Sequence, residues 1–518
     1  MNTLLNGLQN ATNLTYTENG GLTHKTTRSA LLDMFAMGAA MRQRSEADVL
    51  LMFQKAFAEN PVYALKCLFY IRDVRGGQGE RRFFRVITKW MANDKTARAY
   101  IQRNMKYIPE FGRWDDLYEF VGTPLQEDAL SMIKHQLALD AECKTPSLLA
   151  KWLKSENASS KETTRLGNIT RKYLGMTHKE YRKVLAALRT RINVLEKLMS
   201  ENRWDEIEFD KIPSKAGLIY KNAFARHDLE RMKNENVQSY ADFAKDTTKK
   251  VNAGALYPYE VVEKAIDLMN PQSYYWGRYN KSNVALDNTD RLMINKYWDN
   301  LTDYFNGATF NALAMVDTSG SMLGTPMNVA VSLGLYCAEK AGGPFAGNYI
   351  SFSTRPQLIA CEGVDFCDKV SRIVATNLCE TTNIEAAFDL LLDTATLNNV
   401  PQSDMPENII VISDMEFNAA TGHGYWGGHS NGSALTVDTA DTVMETIAKK
   451  WIAAGYELPH LIFWNVNSHQ ENIPMIGNGY VSYVSGFSPS IFQSIMTGKT
   501  GYDLMMDALN KERYACIQ

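Results

Sequence analysis

The 518-residue chain has few cysteines for its length and no long uninterrupted apolar run. Its seven cysteines are scattered and form no C-x-x-C pair, which argues against a disulfide framework and favours a reducing, cytoplasmic location. No stretch approaches the roughly 18 apolar residues of a membrane span. The opening residues, MNTLLNGLQNATNLTYTENGG, lack the basic and apolar regions of a secretory signal, so we expect no such signal.

Familiar catalytic patterns are also missing. The sequence contains no H-E-x-x-H and no nucleophile elbow, and no G-K-[ST] follows the glycines of RDVRGGQGERRFFR. We therefore predict that the protein is not an enzyme. A metal-dependent nuclease is the less favoured alternative, because two-metal phosphodiester chemistry usually needs carboxylates that hold two ions about 4 Å apart.

The chain is too long for a single core, so we expect two or more domains. Charged residues are distributed unequally along it. Residues 1–300 contain 46 Lys and Arg against 36 Asp and Glu, whereas residues 301–518 contain 9 against 22. A basic half joined to an acidic half indicates that the basic half meets a polyanion. The alternative is that the two halves attract each other.

Two different apolar periods predict two kinds of structure. From residue 29 to residue 300 the spacing is helical, and THKEYRKVLAALRTRINVLEKLMS is the clearest case, with Thr177 and Glu180 as a capping box. Successive helical hairpins favour a HEAT-like stack, although no fixed repeat period is present. After residue 300, the strand-like runs NALAMVD, GNYISFS, NIIVISD and HLIFWNV alternate with amphipathic helices. This alternation predicts a doubly wound parallel sheet.

The predicted fold class is therefore α + α/β. We expect an N-terminal arm at 1–28, an all-helical module at 29–300 and an α/β domain at 301–518. In such sheets ligands bind beyond the carboxyl ends of the strands. Asp317 and Asp414 each follow an apolar strand, so both side chains are expected at that edge.

Hydroxyl side chains accompany these two carboxylates. Ser319 and Ser321 alternate with Asp317 in the run VDTSGSM. Thr382 lies at the predicted start of a helix in CETTNIEAAF. Oxygen ligands around few carboxylates suit Mg²⁺, which keeps several waters. Other divalent cations such as Mn²⁺ or Ca²⁺ are alternatives. We predict a metal site formed by Asp317, Ser319, Ser321, Thr382 and Asp414, with one position open to an acidic group of a protein partner.

This D-x-S-x-S element, followed in order by a threonine and an aspartate, resembles the metal-ion-dependent adhesion site of von Willebrand factor A domains. The resemblance implies that Ser319, Ser321 and Thr382 contact the metal directly, while Asp317 and Asp414 act largely through water. The threonine loop of that family usually carries glycines where this chain has Glu380 and Thr381. Glu380 would add charge or fill the open position.

A second resemblance covers about residues 25–518. The segments IRDVRGGQGERRFF, FGRWDDLYEF, RHDLERM, GYELPHLIFWNVN and VSGFSPSIF are similar to a less characterised Ro-like family found in phages and bacteria, related to the Ro (TROVE) family. The resemblance implies a ribonucleoprotein in which one chain's helical module closes into a ring and binds structured or misfolded non-coding RNA. It implies that the A domain completes that ring.

Basic residues of the helical half are the candidate RNA contacts. Arginines near glycine can hold phosphates, but the same charges also serve as structural pairs at a helix–helix turn. A basic helix face is more often simply solvated, although the excess of positive charge across the half favours RNA. The candidates are Arg72, Arg75, Arg81, Arg171, Lys172, Lys179, Arg182, Lys183 and Arg189.

Two further patterns leave alternatives open. QSYYWGRYNKSN mixes aromatic and basic residues, which suits either the stacking of unpaired bases or an apolar seam between domains. TGHGYWGGHSNGS places His423 and His429 in a glycine-rich segment after Asp414. We interpret this segment as a mobile loop rather than a second metal site, because no third soft ligand is close in sequence.

Overall fold

The computed structural model describes residues 13–192, 194–270, 284–352, 355–376, 381–420, 441–476 and 481–518. The chain divides into two compact units. Met1–Cys67 and Leu256–Arg513 form the unit that we call the strand unit, and Leu68–Ala255 with Tyr514–Gln518 form the helical unit. Each is described by itself.

The helical unit is built from short and medium-length helices. The capping box predicted at Thr177 and Glu180 is present: the Glu180 N–H donates to the Thr177 hydroxyl, and the Thr177 N–H donates to the Glu180 carboxylate. The segment THKEYRKVLAALRTRINVLEKLMS forms two helices, since this helix ends at Arg191 and another begins at Leu195. Helices lie at Arg82–Asn93, Arg98–Asn104, Ile108–Phe111, Gln126–Glu142, Leu149–Trp152, Lys161–Leu174, His178–Arg191, Leu195–Ser200, Ser214–Arg226, Asp228–Arg231 and Tyr240–Lys245, and Pro61–Arg72 leads into them.

A buried ion-pair cluster joins two of the segments that resemble Ro-like proteins. The Arg72 guanidinium donates through Nε and Nη2 to Asp116 Oδ2 at 2.9 and 2.7 Å, and Arg85 Nε donates to Asp116 Oδ1 at 2.7 Å. Arg85 also pairs with Asp115 at 3.1 Å. The glycine turn between these helices is tightly packed, because a Cβ on Gly77 would lie 1.9 Å from the Tyr70 carbonyl oxygen.

The strands of the strand unit are β1 Leu14–Tyr16, β2 Leu22–His24, β3 Ala312–Asp317, β4 Asn348–Phe352, β5 Gln357–Ala360, β6 Asn408–Ser413, β7 His460–Asn465 and β8 Val481–Ser485. They form a six-stranded sheet in the order β5-β4-β3-β6-β7-β8 and a separate two-stranded hairpin, β1-β2. Every residue of β3 is buried, so both faces of the sheet are covered, as long apolar runs in parallel strands require.

One strand of the sheet departs from the predicted parallel arrangement. β5 pairs with β4 antiparallel, whereas the other pairings in the sheet are parallel. Only four residues connect β4 to β5, and a connection of that length allows a hairpin but no crossover. The described helices of this unit lie at Ala30–Met37, Glu46–Glu59, Pro258–Met269, Thr289–Asp299, Thr325–Lys340, Phe366–Thr376, Ile384–Leu397, Val443–Ala453, Phe492–Ile495 and Gly501–Leu509.

The predicted fold class, α + α/β, is confirmed. The four predicted strands are β3, β4, β6 and β7, and helices alternate with them as expected. The predicted module at 29–300 is divided between the units, because helix Ala30–Met37 packs on β8 and helix Pro258–Met269 packs on helix Thr325–Lys340. Among the described residues, no helix combines the length and the apolar character needed to cross a membrane.

Candidate functional site

The predicted metal residues lie where the strand order of the sheet reverses. From β3 the chain moves outward to β4 and β5, and it then returns to β6 on the other side of β3. Open α/β sheets bind ligands at this switch point, beyond the carboxyl ends of the strands. Asp317 is the last residue of β3, and Asp414 directly follows β6.

Asp317 is held by the loop that leaves its own strand and by the neighbouring strand. Its Oδ1 accepts the Ser319 N–H at 2.9 Å, and its Oδ2 accepts the Ser413 hydroxyl at 2.5 Å. The Ser319 hydroxyl lies 3.1 Å from the Ser321 hydroxyl. The two serines therefore face one point beside a fully buried carboxylate.

Asp414 reaches the same place from β6. Its Oδ1 accepts the Glu416 N–H at 3.1 Å, while Oδ2 is buried and accepts no hydrogen bond within the described part of the chain. The turn is tight, because Met415 adopts a φ of 68°, which is uncommon for a residue other than glycine. The carboxylate is thus fixed in position with one oxygen unused.

Thr382 is linked to the loop after β6 by two contacts. Its backbone oxygen accepts the Asn418 N–H at 2.9 Å, and its hydroxyl accepts the Asn19 side-chain amide at 3.3 Å. The Asn19 amide also donates to the Glu416 carbonyl oxygen at 2.5 Å. The structure therefore brings Asp317, Ser319, Ser321 and Asp414 together and attaches Thr382 to the same sheet edge, while Glu380 lies outside the described residues.

The two aspartates are poorly compensated in charge. Burial, and then the negative charge of Asp414, raise the pKa of Asp317, and burial raises the pKa of Asp414. Among the described residues, His469 is the only basic side chain within 4 Å of either carboxylate, with Nε2 at 3.6 Å from Asp414 Oδ2. Two buried carboxylates with so little positive charge nearby need a bound cation or protons to balance their charge.

The donor set fits a small divalent cation. Two neighbouring ligands of octahedral Mg²⁺ at about 2.1 Å lie about 3.0 Å apart, close to the separation of the two serine hydroxyls. The unused Asp414 oxygen and the buried Asp317 supply negative charge beside those hydroxyls. No group of three or more His, Cys, Asp or Glu side chains with metal-binding geometry occurs in the described ranges, so the hydroxyls are required.

Two polar residues at this edge were not predicted, although both flank Asp414 in VISDMEF. Ser413 holds Asp317, as described above. Glu416 is buried and accepts hydrogen bonds from the Asn472 amide at 2.7 Å and the Gln470 amide at 3.0 Å. Burial raises its pKa. The only sequence signal for these residues was their closeness to Asp414.

Arg72 is not available to RNA, which corrects its prediction as an RNA contact. Its side chain is 2% exposed and is fully engaged with Asp116. The structural alternative describes this residue, because Arg72 is paired with Asp116. The adjacent Asp73 accepts the Tyr514 hydroxyl at 3.0 Å.

Two other candidates serve as structural ties in the helical unit. Arg189 donates to the carbonyl oxygens of Ala150 and Leu153, at 2.9 and 3.0 Å, and so caps the helix that ends between them. Arg171 pairs with Glu156 at 2.6 Å and is half-buried. Both guanidiniums are therefore engaged by groups of the protein itself.

The remaining candidates are exposed: Arg75, Arg81, Lys172, Lys179, Arg182 and Lys183. Lys179, Arg182 and Lys183 share one face of helix His178–Arg191 because their spacing is three and four residues. A cleft of about 500 Å³ in the same unit is lined by Lys151, Arg189 and Lys197, together with Ala186, Val194, Glu196 and Ser200. The aromatic and basic residues of QSYYWGRYNKSN, and His423 and His429, lie outside the described residues.

Fold and site together define a protein with a helical unit and an α/β unit that carries a polar cluster at its switch point. Residues 17–172 and 135–306 match the family described as "Domain of unknown function (DUF2828)", and the two matches together span more than half of the chain. The chain therefore belongs to that family. Residues 311–514 match "Domain of unknown function (DUF7788)".

Two individual proteins are similar over nearly the whole length. The "Uncharacterized protein L728" of Acanthamoeba polyphaga mimivirus is 29% identical over 524 aligned residues, which cover 94% of this chain and 85% of that protein. The crystal structure of the Deinococcus radiodurans RO (RSR) protein shows a weak likeness, with a TM-score of 0.40 and 13% identity over 95% of each chain.

Proposed function

We propose that this chain is a Ro-like RNA-binding protein whose strand unit binds Mg²⁺ and, through the cation, an acidic group of a protein partner. The cation part rests on one observation: Asp317 and Asp414 are buried side by side with one oxygen unused, next to two converging hydroxyls. Mn²⁺ or Ca²⁺ would suit the same oxygen donors. The resemblance to von Willebrand factor A domains supports this proposal.

The residues have distinct roles in the proposed site. Ser319, Ser321 and Thr382 would offer hydroxyl oxygens to the cation, and Asp317 and Asp414 would supply most of the compensating charge through water. A cation held by these residues would supply an exchangeable position for a carboxylate from outside. Nothing in this arrangement requires bond cleavage, so we expect binding and no catalysis.

Calorimetric titration of the full chain with MgCl₂ and MnCl₂ tests the cation site. We expect saturable binding that weakens at least about 100-fold in Asp317→Ala, since a buried charge beside the cation is removed. Asp404→Ala is the matched control, because this exposed aspartate belongs to the same unit and lies before β6. Absence of binding by the unmodified chain, or equal binding by Asp317→Ala, would contradict the proposal.

The RNA part is supported by the charge of the helical unit. Leu68–Ala255 and Tyr514–Gln518 contain 35 Lys and Arg against 25 Asp and Glu, so this unit is basic although the chain as a whole is slightly acidic. The exposed face formed by Lys179, Arg182 and Lys183 is suited to phosphates. Binding through such contacts would weaken steeply as salt rises.

Filter binding of a structured RNA at 50 and 200 mM salt tests this part. We expect Lys179→Glu/Arg182→Glu/Lys183→Glu to lower affinity at least about tenfold and to reduce the slope of log affinity against log salt by roughly 2 to 3. Lys89→Glu/Lys134→Glu/Lys144→Glu is the control, with the same charge change at exposed positions elsewhere in the unit. If both variants lost RNA affinity equally, the face formed by Lys179, Arg182 and Lys183 would not be the specific RNA contact.

Two other functions make different predictions. A metal-dependent scaffold without RNA would be recovered from cells with a protein partner and no nucleic acid, and Asp317→Ala would release that partner. A nuclease would cleave RNA in a metal-dependent way that Asp414→Ala abolishes. Sequencing of the RNA that copurifies with the full chain separates both from the proposed function.

A further inference from the structure

A hairpin far from the metal residues in sequence lies against them in the strand unit. β1 and β2 pair antiparallel, with Tyr16 opposite Leu22, and the turn Thr17–Gly21 connects them. The turn is closed by the Gly20 N–H donating to the Thr17 carbonyl oxygen at 3.0 Å and by the Thr17 N–H donating to the Gly21 carbonyl oxygen at 2.9 Å. A two-stranded hairpin this short is unstable alone, so its position depends on what it contacts.

The turn contacts the loop after β6 through backbone and side chains. The Thr17 hydroxyl donates to the Phe417 carbonyl oxygen at 2.5 Å, and the Glu18 N–H donates to the Glu416 carboxylate at 2.6 Å. Gly20 forms an antiparallel bridge with Asn418. The turn is therefore hydrogen-bonded to the loop after β6, which carries Asp414.

The same hairpin is held from the β7 side. The Gln470 amide donates to the Tyr16 carbonyl oxygen at 3.1 Å, and the Ile473 N–H donates to the His24 carbonyl oxygen at 2.8 Å. The Asn19 contact adds Thr382, two residues before helix Ile384–Leu397, to the segments after β6 and β7 that the hairpin touches. These contacts fix the turn at the carboxyl edge of the sheet.

Glu18 lies in this turn, and its carboxylate faces His469, the residue whose ring approaches Asp414. Its Oε1 is 3.8 Å from His469 Nδ1, and Nε2 of the same ring is 3.6 Å from Asp414 Oδ2. One imidazole ring thus separates the Glu18 carboxylate from the Asp414 carboxylate. The Glu18 side chain is 51% exposed, so it is free to change rotamer without disturbing the core.

We infer that the turn Thr17–Gly21 is an intrinsic lid on the cation site, from which the Glu18 carboxylate reaches the cation by a change of rotamer, in place of an acidic partner. This inference rests on the proposed function. The Glu18 backbone holds the lid in place through Glu416, while its side chain is left to meet the cation. A partner carboxylate would have to displace Glu18 to bind.

Glu18→Gln tests the lid without removing the contact that positions it, because the Glu18 N–H still donates to Glu416. In the full chain we expect Mn²⁺ affinity to fall roughly tenfold. We also expect a glycine-flanked peptide with a single glutamate to bind the Mg²⁺-loaded variant about tenfold more tightly than it binds the unmodified chain. Glu407→Gln is the control, since Glu407 is exposed and precedes the opposite, amino end of β6.

Amide hydrogen exchange of residues 14–24 gives a second readout. Mg²⁺ should slow this exchange in the unmodified chain and in Glu407→Gln, and should have little effect in Glu18→Gln. If Mg²⁺ binds but Glu18→Gln behaves as the unmodified chain in all three measurements, the lid is wrong and the site stands. If neither Mg²⁺ nor Mn²⁺ binds the unmodified chain, the proposed site fails and the lid fails with it.

Discussion

Each compact unit buries a pair of carboxylates, and the two pairs are compensated in opposite ways. In the helical unit, Asp115 and Asp116 are paired with Arg72 and Arg85 at 2.7 to 3.1 Å. In the strand unit, Asp317 and Asp414 are surrounded by hydroxyls, and His469 approaches only one of them at 3.6 Å.

The difference separates a structural cluster from a candidate binding site. Buried charges persist when they are paired and hydrogen-bonded, and the helical cluster meets that condition with its own side chains. The strand-unit pair leaves a buried carboxylate oxygen unused. Its missing positive charge is what a bound cation would supply.

The largest expected effect breaks the helical cluster. Arg72→Met leaves Asp116 with one of its two arginines, so we expect the local free energy of unfolding to fall by about 3 kcal/mol. Hydrogen exchange in helix Arg82–Asn93 measures this loss. Arg75→Met is the control, because Arg75 is 66% exposed and an exposed change should stay within about 0.5 kcal/mol. Equal effects of the two variants would contradict a structural role for Arg72.

A cation should stabilise one unit and not the other. At 100 times its dissociation constant, Mg²⁺ should add about 2.7 kcal/mol to the unit that binds it. We expect slower hydrogen exchange in β3 and β6 and unchanged exchange in helix His178–Arg191. Asp317→Ala should remove the effect. If Mg²⁺ slowed hydrogen exchange equally in both units, the proposed difference between the ion-pair cluster of the helical unit and the candidate cation site of the strand unit would be wrong.

The smallest expected effect is a pH dependence of cation binding. Because burial and Asp414 raise the pKa of Asp317, protons compete with the cation as the pH falls toward that raised pKa. We expect Mg²⁺ affinity to weaken roughly tenfold between pH 8 and pH 6 by calorimetry. The His469→Gln variant removes the imidazole beside Asp414 and so isolates the contribution of the carboxylates. A flat profile in both proteins would show that the carboxylates are ionised throughout.

Local patterns predicted the fold well where one segment decides the outcome. The unbroken apolar runs gave β3, β4, β6 and β7, and the Thr177 capping box gave the start of its helix. Asp317 and Asp414 were placed at one edge because parallel strands end on the same side. Each of these inferences needs only neighbouring residues and one rule of sheet geometry.

Long-range partners could not be predicted in the same way. Arg72 and Asp116 are 44 residues apart, so the charge pattern alone could not choose between phosphate and carboxylate as the partner of Arg72. The hairpin at 14–24 has strands of only three residues and was expected to be an arm. Its position depends on loops about 400 residues later in the chain.

The packing of the hairpin against the loop after β6 is sensitive to substitution of Gly21. A Cβ on this residue would lie 2.5 Å from the Phe417 carbonyl oxygen and 2.8 Å from that of Asn418, so even alanine would act as a wedge between the turn and the loop. In a Gly21→Ala variant, the added methyl group would separate the turn from the loop after β6. Every oxygen of the proposed cation site would remain chemically unchanged. If the turn covers a cation site as proposed, the access of outside carboxylates to that site depends on the absence of a Cβ at residue 21.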